Sequence, residues 1–350
     1  MDMSVRGLPR RAGVALTVLT SLVLPSLGWT GSAGAAEEAP WFPESGAYVG
    51  AAVGKQADDS LPTCRDADAQ TGRSAFEGPF CTNQFAFIDR VFHRWDASTG
   101  RAPWPTPYDA WSRDRGRRLL ISWNAIRADG STVLWKDIAL GREDARIDEQ
   151  AERVKAFGAR IYLAFNHEPE VNGAVGKKGT PEEFRAASRR IVDRFRARGV
   201  TNVKWTLILM GWTFNPVSGR SPDHYYNGPA YVDALGVNAY NWYGCSGAKN
   251  QWASFGQLYQ RGYDWATARG LPVIAAEFGS VEDPLVPERK GEWLENAKEW
   301  VATHPNMKVL SYFNFHDYQP AKNRDCNWTV DSSLRSLMAY RSFAQQLSLP

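Results

Sequence analysis

The chain has 350 residues, 41 Lys and Arg against 38 Asp and Glu, a formal charge of +3, and 15 Trp. That length suits two ordinary domains or one large α/β barrel. A nearly neutral chain without a basic stripe offers no electrostatic reason to bind nucleic acid, so no nucleic-acid partner is expected.

Residues 1–36 read as a secretory signal peptide. Arg6, Arg10 and Arg11 form a basic start, an apolar run follows from Ala12 to Leu27, and small residues fill Ala33 to Ala36. The run is short for a membrane span, no stop-transfer segment follows it, and there is no second apolar span. Arg10-Arg11 hints at twin-arginine export, although the surrounding pattern is incomplete. Cleavage would remove three arginines and Asp2, leaving a charge of +1 in place of +3. Residues 37–350 are expected to form a single secreted, extracellular domain, monomeric and without a membrane span.

In the mature region, short apolar runs recur that suit strands buried on both faces. They are GAYVGAAV (46–53), IDRVFHRW (88–95), RLLISWN (118–124), RIYLAFN (160–166), NVKWTLIL (202–209), ALGVNAY (234–240), PVIAAEF (272–278) and KVLSYFNF (308–315). Helical period separates most of them. Ile147, Ala151, Val154 and Phe157 recur on one face of 144–157. Thr180-Pro-Glu-Glu is a capping box that opens a helix running to about Arg198. Further helices fit 251–269, 288–303 and 331–347, the last capped by Asp331. Eight strands alternating with helices predict a (β/α)8 TIM barrel, with the functional residues at the C-terminal strand ends.

Those ends are rich in polar and aromatic residues: His93, Arg94 and Trp95; Trp123 and Asn124; Asn166, His167 and Glu168; Trp212 and Asn215; Asn238 and Tyr240; Glu277; Asn314 and His316. Aromatic faces beside hydrogen-bonding groups suit sugar rings, which pair apolar CH faces with a hydroxyl rim. Trp123, Trp242 and Phe315 are candidate sugar platforms, and His93 and Asn238 candidate hydroxyl contacts. Glu168 closes the fourth strand and Glu277 the seventh, which face each other across a barrel mouth. Two carboxylates flanking a glycosidic bond are what retaining hydrolysis uses, one as acid/base and one as nucleophile.

The stretch AFNHEPE, 164–170, also invites a metal reading. A zinc protease motif needs a second His on the same helix face, but position 171 is Val and Pro169 opposes a helix there. No metal and no cofactor is expected. The close acidic residues Asp58, Asp59, Asp66 and Asp68 lack calcium-loop spacing and read as a solvated loop. Four cysteines in an exported chain allow three disulfide pairings, of which the simplest joins Cys64 to Cys81 and Cys245 to Cys326.

The sequence resembles glycoside hydrolase family 26, a retaining β-mannanase-like clan A family. The resemblance runs through GAYVG, the His-Glu of AFNHEPE, NVKW, YYNGPAYVDALGVNAYNWY, PVIAAEFGS, YFNF and WTVDSS. It implies Glu168 as acid/base and Glu277 as nucleophile, a hydrogen bond from Tyr240 to the nucleophile, and His167 lining the subsite of the cleaved sugar. Typical mannanases of the family follow His-Glu with Met-Asn-Gly and then tryptophans. Here Pro169-Glu170-Val171-Asn172-Gly173 follows, and no Trp occurs before Thr180. The expected activity is a secreted endo-β-glycosidase whose polysaccharide substrate is first of all β-1,4-mannan. Mixed-linkage β-glucan and β-1,3-xylan are alternatives, and a non-catalytic carbohydrate-binding barrel is a third reading.

Overall fold

The computed structural model describes residues 39–53, 77, 81–82, 86–96, 103–172, 177–245, 251–319, 321 and 323–347. The expected signal peptide, the acidic loop at 58–68 and Cys64, with its expected bond to Cys81, lie outside the described residues. Pro40–Pro350 make up one compact unit.

Each of the eight expected runs contains a strand: Tyr48–Val53 (β1), Ile88–His93 (β2), Arg118–Trp123 (β3), Ile161–Phe165 (β4), Val203–Met210 (β5), Ala234–Asn241 (β6), Val273–Ser280 (β7) and Met307–Asn314 (β8). They pair in parallel, in chain order, and β1 pairs with β8 to close the barrel. Tyr48, Ile88, Leu120, Tyr162, Ala164, Ile208, Ala234, Ile274, Ala276 and Val309 fill the lumen as one buried cluster. The larger core lies between strands and helices, where residues of opposite parity such as Leu119, Ile121, Leu163 and Val237 pack outward. Period-two alternation therefore divides the strands between a lumen face and an outward face, except where β7 carries an extra residue.

The outer helices are Pro107–Arg113 (α1), Trp135–Ala139 (α2), Asp144–Phe157 (α3), Pro181–Ala197 (α4), Phe255–Thr267 (α5), Arg289–Ala302 (α6) and Leu334–Leu347 (α7). Thr180 caps α4 with the reciprocal Glu183 contact that its sequence predicts. Two starts move. The α5 helix begins at Phe255, where Ser254 and Gln257 form a capping box, so the expected start at 251 is early. The α7 helix is capped by Ser333, whose Oγ accepts from the Ser336 N–H at 3.1 Å, whereas Asp331 is buried ahead of the helix. Between β5 and β6 strict alternation fails: three short 3-10 turns, Gly211–Phe214, Pro216–Ser218 and Pro222–His224, replace an α-helix.

After β8 the chain forms an antiparallel hairpin, His316–Gln319 (β9) with Arg324–Asn327 (β10). A disulfide joins Cys326 on β10 to Cys245 just after β6, with Cα atoms 5.0 Å apart. It closes a separation of 81 residues beside a cluster of Tyr240, Trp242, Phe313 and Trp328. Reducing this bond should lower unfolding stability by about 2–4 kcal/mol. Urea titration of Cys245→Ser/Cys326→Ser against the parent checks this, and coincident midpoints would count against it.

Candidate active site

The turn after β4 is built from unusual backbone. Asn166 and Glu168 both have positive φ, 45° and 50°, a region that non-glycine residues enter rarely and mainly where surrounding contacts hold them. Those contacts are present. The Asn166 Oδ1 accepts from Lys178 Nζ at 2.8 Å and from the Ala125 N–H at 3.3 Å, and the Glu168 N–H donates to the Ile208 carbonyl at 2.8 Å. Burial lowers the Lys178 pKa to about 8. The turn leaves His167 and Glu168 half-buried at the barrel mouth. A single helical turn, Pro169–Asn172, follows. It buries Glu170, which accepts from the Met210 N–H at 2.6 Å and the Thr213 hydroxyl at 2.7 Å. Burial lifts that carboxyl to about 7, so Glu170 anchors the turn to the end of β5.

Glu277 reaches the lumen through a β-bulge. Val237 pairs with Ala275 but Asn238 pairs with Glu277, so Ala276 is an extra residue in β7. Ala276 fills the lumen, and the next residue, which a regular strand would point outward, accepts hydrogen bonds from lumen-facing side chains. Arg90 Nη2 donates to Glu277 Oε1 at 2.9 Å and Tyr240 Oη donates to Oε2 at 2.5 Å. The same Arg90 Nη2 donates to Ser122 Oγ at 2.8 Å, and its Nη1 to the Leu120 carbonyl at 3.2 Å.

Glu168 sits differently. Asn238 Nδ2 donates to its Oε1 at 2.7 Å. Desolvation by burial, followed by the charge on Glu277, raises its pKa to about 8. One carboxyl is thus held by a guanidinium and a phenol, while the other is pushed toward its protonated form. Burial, with the cations Arg90 and Lys178 nearby, drives the His167 pKa well below its usual value and keeps the ring neutral.

The strand-end candidates divide by parity. Asn238, Tyr240, His167, Glu168 and Glu277 converge at the mouth. Trp242 lies edge-on to Tyr240 at 5.6 Å, and Phe315 stacks on Phe313, itself 5.5 Å from Tyr240, so these two belong to an adjoining aromatic wall. Two expectations are corrected. Trp123 is fully buried, stacked on Trp95 at 4.2 Å in the core outside the barrel, and offers no face to a sugar. His93 also points outward: it stacks on Trp104 and pairs with Asp109 of α1 at 3.1 Å, away from the mouth. Both lie one position off the lumen parity of their strands.

That parity exposes two residues the strand-end reading missed. Arg90 is one. Phe92 is the other, 39% exposed, 5.4 Å from the His167 ring, with the Arg90 guanidinium 4.2 Å over its own ring. A sequence signal for Arg90 existed: a charged residue inside a run buried on both faces requires a partner. Among the described residues, no group of three or more His, Cys, Asp or Glu is placed to hold a metal ion. No described helix is long and apolar enough to cross a membrane.

No family model matches the chain. Over 244 residues, 68% of its length, it is 34% identical to Endoglucanase H of Acetivibrio thermocellus. The chain spans about a quarter of that relative's length, 25%. Among solved structures it is similar to GH26C from Muricauda sp. MAR_2010_75, with a TM-score of 0.57, 14% identity and 86% of each chain covered. It is similar also to the catalytic domain of the GH26 endo-β-1,4-mannanase of Bacillus sp. JAMB-750, with a TM-score of 0.56, 13% identity and coverage of 84% and 86%. At such identities the structural likeness is one of fold, and it agrees with the motifs. The chain is a (β/α)8 barrel that resembles glycoside hydrolase family 26.

Proposed function

We propose that the chain is a secreted endo-acting β-glycosidase, working by double displacement with Glu168 as acid/base and Glu277 as nucleophile. The observation that carries this reading is the opposite treatment of the two carboxyls. Glu168, raised to about 8, keeps a proton to give. Glu277, with Arg90 and Tyr240 donating to its two oxygens, is oriented as a carboxylate for attack on the anomeric carbon. Glu277 bonds to that carbon as the glycosidic bond breaks, and the leaving oxygen takes the proton from Glu168. Glu168 then draws a proton from water, whose oxygen attacks the same carbon and releases Glu277. Phe92, His167, Phe313 and Trp242 would flank the sugar.

The substrate class we favour is a β-glucan. The 34% identity is to an endoglucanase, whereas the named mannanase is similar at 13%, in fold. Release of reducing sugar from lichenan, glucomannan, mannan and β-1,3-xylan tests this. The highest kcat/KM is expected on lichenan. A preference for mannan would restore the mannanase expectation, and binding without turnover would favour a non-catalytic barrel.

The pH profile gives a second test. Because the proton on Glu168 is needed, kcat/KM on polysaccharide should fall about tenfold per pH unit above about 8. An aryl glycoside with a good leaving group, turned over by Glu168→Ala, should show no such alkaline limb. A limb that persists in this variant would belong to another group.

A further inference from the structure

A cavity of about 840 Å³ opens beside the two carboxyls, at the ends of β5 and β6. Asn238 and Tyr240, which touch Glu168 and Glu277, form its inner end, and Trp212, Trp242 and Trp252 line it further out. Each tryptophan carries an arginine on its ring: Arg220 lies 4.3 Å over Trp212, Arg324 5.0 Å over Trp242, and Arg289 4.3 Å over Trp252. A guanidinium stacked on an indole fixes the ring, so the remaining surface is preorganised for another flat partner. At the inner end, the fully buried Asn238 gives its Nδ2 to Glu168, while its Oδ1 has no hydrogen-bond partner. A buried acceptor of this kind is costly unless a ligand supplies a donor, and a sugar hydroxyl can.

The track continues outward. Asn215 and Arg261 also line a second cavity of about 580 Å³, together with Phe214 and Trp265. The replacement of a β5–β6 helix by 3-10 turns is what brings Trp212, Phe214 and Asn215 here. Meanwhile the loop after Glu168, from Pro169 to Thr180, holds no Trp.

We propose that this tryptophan-lined track binds the leaving-group portion of the polysaccharide. The side is inferred from the acid, which must reach the glycosidic oxygen from the leaving group: of the two inner side chains, Asn238, the partner of Glu168, keeps an unpaired acceptor for a sugar hydroxyl, whereas the Tyr240 hydroxyl is taken up by Glu277. The inference rests on the glycosidase reading and names which surface takes the departing chain.

The test uses Trp212→Ala and Trp252→Ala, each beside its Phe counterpart, on lichenan and on nitrophenyl β-cellobioside, whose leaving group is too short to follow the track. The ratio of kcat/KM on polymer to that on aryl glycoside should fall about tenfold for each Ala variant and largely recover with Phe. An unchanged ratio overturns the proposal, as does a loss falling mainly on the aryl glycoside, which would put the glycone in the track. If the parent cleaves neither of these nor glucomannan, mannan or β-1,3-xylan, the glycosidase reading fails by itself. Cellohexaose binding to Glu277→Gln then decides the track: a Kd raised about tenfold by Trp212→Ala supports it, and an unaltered Kd overturns it.

Discussion

Glu168→Ala, supplied with azide and an aryl glycoside of good leaving group, should yield a β-glycosyl azide. Without the acid, polysaccharide hydrolysis should drop by about 10²–10⁴-fold, because nothing protonates the departing oxygen. An activated aryl group leaves without that proton, so Glu277 can still form the glycosyl-enzyme, which accumulates when no base activates water. Azide needs no base, and a second displacement restores the β configuration. In Glu277→Ala no intermediate forms, and azide must displace the leaving group directly from the opposite face, giving the α product. Anomeric configuration by NMR therefore assigns each carboxyl on its own chemistry. The reverse pattern would exchange the two roles, and rescue of neither variant would remove support for a covalent mechanism.

Replacing Arg90 should cost the most in stability. Arg90 and Glu277 are both almost fully buried, and their contact at 2.9 Å is the charge pairing between them. Removing one partner of such a pair leaves an uncompensated buried charge, worth about 3–5 kcal/mol. Arg90→Met is expected to lose that much in urea titration, with activity falling as Glu277 loses its position. Arg90→Met/Glu277→Gln, which removes both charges, should recover much of the loss. A double variant as unstable as the sum of the two single variants would show that the pair is not coupled.

The strand runs were legible because each is a short apolar segment bounded by turn residues. The capping box at Thr180 was legible because its chemistry spans only four positions, Thr180 to Glu183. The placement of Glu168 and Glu277 at the barrel mouth was legible because the C-terminal strand ends of a barrel open there. Side-chain facing was harder to read. In a strand covered by helices on one side and by the lumen on the other, both faces are apolar, so alternation does not mark which parity points inward. Trp123 and His93 were misread for that reason, and Phe92 was passed over.

The sequence by itself determined a (β/α)8 barrel and two carboxyls at opposite strand ends, since these are written in local period and spacing, and its motifs carried the resemblance to family 26. Only the tertiary structure decided what surrounds them. The extra Ala276 that lets Glu277 face inward is a matter of register between β6 and β7. The partner Arg90 lies 187 positions away in the chain, and the raised pKa of Glu168 comes from burial and from a charge brought near by closure of the barrel. Hydrogen bonding, desolvation and charge coupling act over a few ångströms in space, and closing a barrel brings together residues that no sequence window contains.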